Sequence, residues 1–200
     1  EFAAIVKDFG QFARRFLCIK NKQAQIVPLV LNTVQQRLLH AYLEAKRSGR
    51  VLRFIILKAR QEGVSTFYEA LIFHRTITAF NRKAIIVGHE TDSANNLFDM
   101  TKRYYENLDP AVQPALEHSN EKKVSFLKLK SEIRIASADV GGTLKRSDTI
   151  QDLHITELAF WRAPKVSLLA LLQTVPDEGD TLVVIESTGN GIGGEFYDRW

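Results

Sequence analysis

Between residues 58 and 66 the chain reads Lys-Ala-Arg-Gln-Glu-Gly-Val-Ser-Thr, directly after an apolar, β-rich run from Val51 to Leu57. A glycine and a hydroxyl residue at this spacing, between a strand and a helical pattern, suit a loop that cradles phosphate. In the ordinary form, Gly-x4-Gly-Lys-[Ser/Thr], a lysine follows the second glycine and reaches the β- and γ-phosphates. Here Val64 holds that slot and carries no charge, while Lys58 and Arg60 stand at the front of the loop. Either cation could neutralise phosphate from that side. Gly63 is the close-approach glycine, and the backbone N–H groups of Gln61, Glu62, Gly63, Val64 and Ser65 would face phosphates at a helix N-terminus. Ser65 would offer its hydroxyl to Mg2+, with Thr66 second to it.

Three further segments carry groups that complement such a loop. Leu153-His-Ile-Thr-Glu-Leu-Ala-Phe-Trp161 reads as an apolar strand ending in a carboxylate, and Glu157 is placed to orient an attacking water. Phosphoryl transfer asks mainly for positioning and charge stabilisation, so one well-placed carboxylate can suffice. The aspartate usual before that glutamate is replaced by Thr156, which could accept a hydrogen bond from metal-bound water but adds no charge. Val183-Val-Ile-Glu-Ser-Thr-Gly-Asn-Gly191 runs from a strand into a polar turn, where Ser187 and Thr188 could reach Glu157, the water or a γ-phosphate. Upstream, Gln35, in preference to Gln36, could read an adenine edge with its paired donor and acceptor.

The elements that must position these groups follow from hydrophobic spacing. Residues 2–17 have apolar residues at helical intervals and read as an arm. Leu31 to Ala45 reads as an amphipathic helix with Asn32 or Thr33 as N-cap. Strands are then expected at 51–57, 83–87, 123–129, 132–137, 151–156 and 181–185. Helices are expected at 65–80, 92–106 and 164–174, and another begins near Gly193. This alternation predicts an α/β fold, a mostly parallel sheet with helices on both faces, which binds ligands beyond the carboxyl ends of its strands.

Composition narrows the function classes. The formal charge of +4 permits contact with nucleic acid. No apolar run reaches the roughly 18 residues that suggest a membrane span. A single cysteine, Cys18, fits a reducing compartment, and no histidine pairs at metal-ligand spacing with a second ligand, so zinc chemistry is not expected. The start, Glu1-Phe2-Ala3, leads to the expectation of a piece excised from a longer protein.

Taken in order, Asn32 to Gln35, Lys58 to Thr66, Ile155 to Trp161 and Ser187 to Gly191 followed by Phe196-Tyr197 resemble the ATPase domain of the large terminase subunit of tailed bacteriophages and prophages. Terminases have deviant loops with Arg-Gln in the middle or the lysine at the front, and Lys58-Ala-Arg60-Gln61 shows both. The resemblance spans roughly residues 30–200, with 1–30 as an N-terminal arm and 31–200 as the core. It implies an ASCE-type, RecA-like P-loop NTPase fold and ATP with Mg2+ as substrate and cofactor. It further implies a homo-oligomeric ring on the portal protein, a small terminase subunit as partner, and translocation of double-stranded DNA in the host cytoplasm. On that reading Ser65 and Thr156 help hold Mg2+, while Ser187, Thr188 and Gly189 couple hydrolysis to movement. Arg146, with Lys145 as fallback, would be an arginine finger completing a neighbour's site. The C-terminal RNase H-like nuclease of full-length terminases is expected to be absent from this fragment. Two alternatives stay open: a helicase-like DNA-dependent ATPase, and a nucleotide- or DNA-binding module whose degenerate loop no longer hydrolyses.

Overall fold

The computed structural model describes residues 2–138 and 149–200. The chain opens with helices α1 (Phe2–Lys7) and α2 (Phe9–Phe16), then the short strands β1 (Cys18–Lys20) and β2 (Ile26–Pro28), which pair with each other as a small hairpin. Next come α3 (Thr33–Arg47), β3 (Leu52–Leu57), α4 (Val64–Ile77), β4 (Lys83–Gly88) and α5 (Thr91–Glu106). They are followed by β5 (Leu116–Ser119), β6 (Lys123–Phe126), β7 (Ser131–Ser137) and β8 (Asp152–Thr156). After a 3-10 turn at Leu158–Phe160, α6 (Pro164–Leu172), β9 (Leu182–Ser187) and α7 (Glu195–Arg199) complete the described elements.

Seven strands form one sheet in the order β3-β9-β8-β4-β7-β6-β5. The first five are mutually parallel, and β6 and β5 extend the sheet antiparallel beyond β7. Strand β9 therefore lies between the loop strand β3 and the carboxylate strand β8, which is the additional strand of an ASCE-type, RecA-like arrangement. Parallel pairing brings the carboxyl ends of β3, β9 and β8 to one edge. The loop that follows β3, Glu157 and the Ser187–Thr188 turn meet there although they are far apart in sequence.

The central strands are buried on both faces, so they read as nearly continuous apolar runs. Along β4, Ala84 and Ile86 join the core that α4 and α5 cover, while Ile85 and Val87 join a second core with Leu168 and Leu171 of α6. Helix α4 is buried almost throughout, which matches its lack of a polar face. The N-terminal segment packs into the first core through Phe9, Phe12, Phe16, Leu17 and Leu29. Burying each such aromatic contributes about 1.5–3 kcal/mol, enough to hold the arm to the domain.

Local features depart from the sequence reading, the β1–β2 hairpin among them. The helical run expected over 2–17 is divided at Asp8, whose carboxylate caps α2 by accepting the Gln11 N–H at 2.8 Å. Strand β5, Leu-Glu-His-Ser, lacks an apolar alternation because it is an exposed edge strand held mainly by its pairing with β6. Among the described residues no helix is long and apolar enough to cross a membrane.

Candidate functional site

The loop between β3 and α4 is shaped by two residues in left-handed backbone conformations, Gln61 (φ 63°) and Gly63 (φ 77°). Glycine at 63 also leaves room for a neighbouring side chain. A Cβ there would lie 2.8 Å from Gln35 Nε2. Gln35 sits in a capping box at the start of α3: its Oε1 accepts the Asn32 N–H at 3.0 Å, and its own N–H donates to Asn32 Oδ1. Its Nε2 donates to the Gly63 carbonyl at 2.9 Å, and Asn32 Nδ2 donates to the Glu62 carbonyl at 3.2 Å. One N–H and one acceptor site of the Gln35 amide are engaged inside the protein, and the side chain pins the loop to α3.

Lys58 is the loop cation drawn into the site. Its backbone N–H donates to the Ser187 carbonyl, extending the β3–β9 pairing by one step. The side chain turns inward, so that Nζ lies 3.0 Å from Ser65 Oγ, 3.2 Å from Glu186 Oε1 and 3.4 Å from Glu157 Oε1. Arg60 is not brought in; it is exposed on the turn and makes no ion pair among the described residues. Gln61 and Glu62 are likewise exposed, whereas Val64 is buried in the first core. Thr66 faces away from the loop, its hydroxyl directed at Met100 Sδ and its carbonyl accepting from Tyr104. That orientation removes it as a second choice for a metal hydroxyl and leaves Ser65.

Glu157 follows β8 in a left-handed conformation (φ 51°), which turns its side chain toward the end of β9. Its Oε2 accepts the Thr188 N–H at 3.0 Å and the Thr188 hydroxyl at 3.0 Å, with Ser187 Oγ at 3.4 Å. The polar turn thus clasps one carboxylate oxygen, while the other meets Lys58. Gly189 does not have a positive φ, and a Cβ built there would meet only Leu57 Cδ1, at 4.0 Å. Thr156 is buried, with its hydroxyl 3.4 Å from the Val87 carbonyl. Lys145 and Arg146 lie outside the described residues.

Behind Lys58 stands a buried chain of charge that the sequence reading missed. Ser65 Oγ donates to Glu186 Oε1 at 2.6 Å. His154 Nε2 is 3.3 Å from that same oxygen, and His154 Nδ1 is 2.7 Å from Glu69 Oε1. Glu69, His154 and Glu186 have no exposed surface. Ser65 and Glu69 are one helical turn apart on α4, and His154 and Glu186 point from adjacent strands into the same layer. Burial alone would lower the His154 pKa, yet the two flanking carboxylates outweigh it and raise the imidazole to about 9. Glu186 is opposed by burial but held below the usual carboxylate range by His154, Lys58 and Ser65. Burial pushes Glu69 up, with His154 acting against it. The signal was present: a lone acid in the apolar run Val183-Val-Ile-Glu186, and another in the apolar middle of α4, Phe67-Tyr-Glu-Ala-Leu-Ile-Phe73. A charge in such a run is buried at high cost unless paired.

Could ATP and its metal fit here? The first-turn N–H groups of α4 lack acceptors within the helix and suit phosphate. Ser65 presents a hydroxyl at the site, and Glu186 Oε2 is buried without a hydrogen-bond partner, so the donor set fits a hard cation shared with phosphate oxygens. Among the described residues no cluster of three or more metal-binding side chains exists. A cavity of about 390 Å³ lies elsewhere, beside the arm, lined by Lys46, His74, Arg75, Arg82 and Asp180 among others; no loop residue borders it.

No protein-family profile matches the sequence, and no curated protein matches it. Among solved structures the chain is similar to the large terminase of bacteriophage HK97, with 15% identity and a TM-score of 0.72 over 91% of this chain and 37% of that one. It is also similar to the large terminase ATPase domain of Thermus phage P74-26, with 20% identity and a TM-score of 0.54 over 77% of this chain and 66% of that one. The chain has the fold of these terminase ATPase domains, and it spans little more than a third of the HK97 protein.

Proposed function

We propose that this chain is the ATP-hydrolysing motor domain of a DNA-packaging terminase. The observation that carries the reading is the convergence of Lys58, Ser65 and Glu157 within hydrogen-bonding or ion-pair distance at the carboxyl edge of a RecA-like sheet. Phosphates of ATP would lie across the loop at the N-terminus of α4, where backbone N–H groups and the helix dipole favour anions. Lys58, resting between Glu157 and Glu186, would exchange part of that contact for phosphate oxygen. A cation entering from the start of the loop thus replaces the one that Val64 does not supply.

Ser65 would hold Mg2+, which when bound neutralises charge on the phosphates as they separate. Glu157 would orient the attacking water. Its carboxylate is prevented from swinging by Thr188, through both backbone and hydroxyl, so the positioning is set before substrate arrives. The same clasp makes the Ser187–Thr188 turn sensitive to what Glu157 touches, a route by which hydrolysis could reach β9 and the following segment. Gln35 would keep the loop in register through Gly63. In the assembled motor, Arg146 would complete a neighbouring subunit's site, with double-stranded DNA, the portal and the small subunit as partners. The likeness in fold to large terminases supports this part.

In the full-length protein, Lys58→Ala and Glu157→Ala should each lower ATP turnover about 10²–10⁴-fold, the range for loss of a positioned catalytic group. Phosphate release measured with DNA present checks this. Turnover at the wild-type rate in the Glu157 variant would remove the catalytic assignment. Mg-ATP binding without phosphate release by the unaltered protein would favour the non-hydrolysing alternative.

A further inference from the structure

In a P-loop site a strand-end carboxylate ordinarily helps hold the metal beside the loop hydroxyl. In this chain that position is Thr156, which is buried, uncharged and turned toward the Val87 carbonyl. We propose that Glu186, one strand over, supplies the missing carboxylate for the nucleotide's metal. The inference rests on the functional reading above and concerns the same site.

Four observations converge on Glu186. Across the parallel pair β8–β9, Glu186 is the register partner of Thr156, so a carboxylate at 186 stands at the same level of the sheet as the one that is absent. It also reaches the same hydroxyl, since Ser65 Oγ donates to Glu186 Oε1 at 2.6 Å. Its second oxygen, Oε2, is buried and has no hydrogen-bond partner, although an unsatisfied charged oxygen is costly. Finally, the carboxylate is backed by His154, which is itself held by Glu69, a second layer of the kind that orients metal-binding groups.

A purely structural task, countering the charge of Lys58, accounts for less. Glu157 already lies 3.4 Å from Lys58 Nζ and is partly exposed, so the lysine has a carboxylate without Glu186. Nor does that task explain why Ser65, rather than water or backbone, is bonded to Glu186. A metal-positioning role explains both, because the hydroxyl and the carboxylate must be held in one orientation toward a shared cation.

The test compares nucleotide affinity with and without metal in the intact protein. Binding of ATPγS is measured calorimetrically in Mg2+ and in EDTA, and Mn2+–ATPγS binding is followed by electron paramagnetic resonance. Glu186→Gln keeps the shape and removes the charge. The gain in affinity on adding metal should fall about 10- to 100-fold, while metal-free binding is retained or strengthened. Adding Thr156→Asp to Glu186→Gln should restore much of that gain, because it returns the carboxylate to its ordinary strand. An unchanged metal gain in folded Glu186→Gln overturns the proposal. Should Glu186→Gln not fold, Glu186→Asp is the second probe. It keeps the charge but withdraws the carboxylate by one methylene, so loss of the metal gain supports the assignment and its persistence overturns it. If the unaltered protein binds no ATPγS under either condition, the functional reading fails and this assignment falls with it.

Discussion

The two ends of the central sheet each hold a cluster of buried charge, and the clusters are built on opposite terms. At the amino end, Arg75 Nε donates to Asp152 Oδ1 at 2.9 Å, and Arg82 spans both oxygens of Asp152 at 3.1 Å. The same arginines reach Asp180, Arg75 donating to its carbonyl at 2.7 Å and Arg82 pairing with its carboxylate, and Arg75 also donates to Tyr42. Planar guanidinium groups satisfy several acceptors at fixed angles, so this cluster is closed. At the carboxyl end a single lysine serves two glutamates and a serine, and Glu186 Oε2 is buried without a hydrogen-bond partner. A closed network is structure. A network with a buried carboxylate oxygen left over is the one that the proposed function needs, since nucleotide and metal would bring charge to it.

That contrast can be broken from either end. The largest expected effect is at the closed cluster. Asp152→Ala leaves two buried guanidinium groups with Asp180 as their remaining carboxylate and should cost about 3–5 kcal/mol of stability, read by chemical denaturation. ATP affinity per folded molecule should be unchanged. A variant that keeps its stability while losing nucleotide binding would show that the amino end is not the structural one.

A smaller effect sharpens the picture of how the arm is attached near that end. His74 on α4 donates from Nε2 to the Val6 carbonyl at 2.8 Å and packs against Phe9 and Phe12. Burial lowers its pKa from 6.5 to about 4, with Arg75 and Lys46 acting in the same direction and Asp8 against them. The unfolded chain therefore binds more protons between those two values. The stability contributed is fully present above pH 6.5 and is lost as pH falls toward 4, by about 3 kcal/mol at most. His74→Phe should flatten that part of the stability–pH profile. An equal slope in variant and wild type would assign the acid sensitivity to other groups.

The smallest effect lies at the open end. Gly63→Ala places a methyl against Gln35 and strains a left-handed residue, costing about 1–2 kcal/mol. The strain falls on the loop, so it should appear as roughly tenfold weaker ATP binding with little change in melting temperature. The reverse pattern, a melting loss with intact binding, would make the Gln35–Gly63 link a fold contact rather than a loop-positioning one.

Much of this molecule was legible in its residues. The apolar runs at β3, β4, β8 and β9 and the helical spacing of α3, α4 and α5 locate those elements within a few residues. The exposed edge strand β5 and the β1–β2 hairpin carry no such pattern, because their stability comes from pairing rather than from a buried face. In the site, Lys58, Ser65 and Glu157 stand out by type and place. Gln35 stands out as well, but its sequence position could not reveal that both ends of its amide were already engaged.

By itself the sequence determined the order of the central strands and the helices between them, the displaced loop cation, the carboxylate at the end of β8 and the polar turn after β9, since each is a pattern within one element. Only the tertiary structure decided that Glu186 lies level with Thr156, that His154 stands between Glu69 and Glu186, and that Lys58 rather than Arg60 enters the site. The physical reason is that side-chain period is local and follows from backbone geometry. Register between strands, and the layer in which their polar residues meet a helix, is set by how the whole core packs.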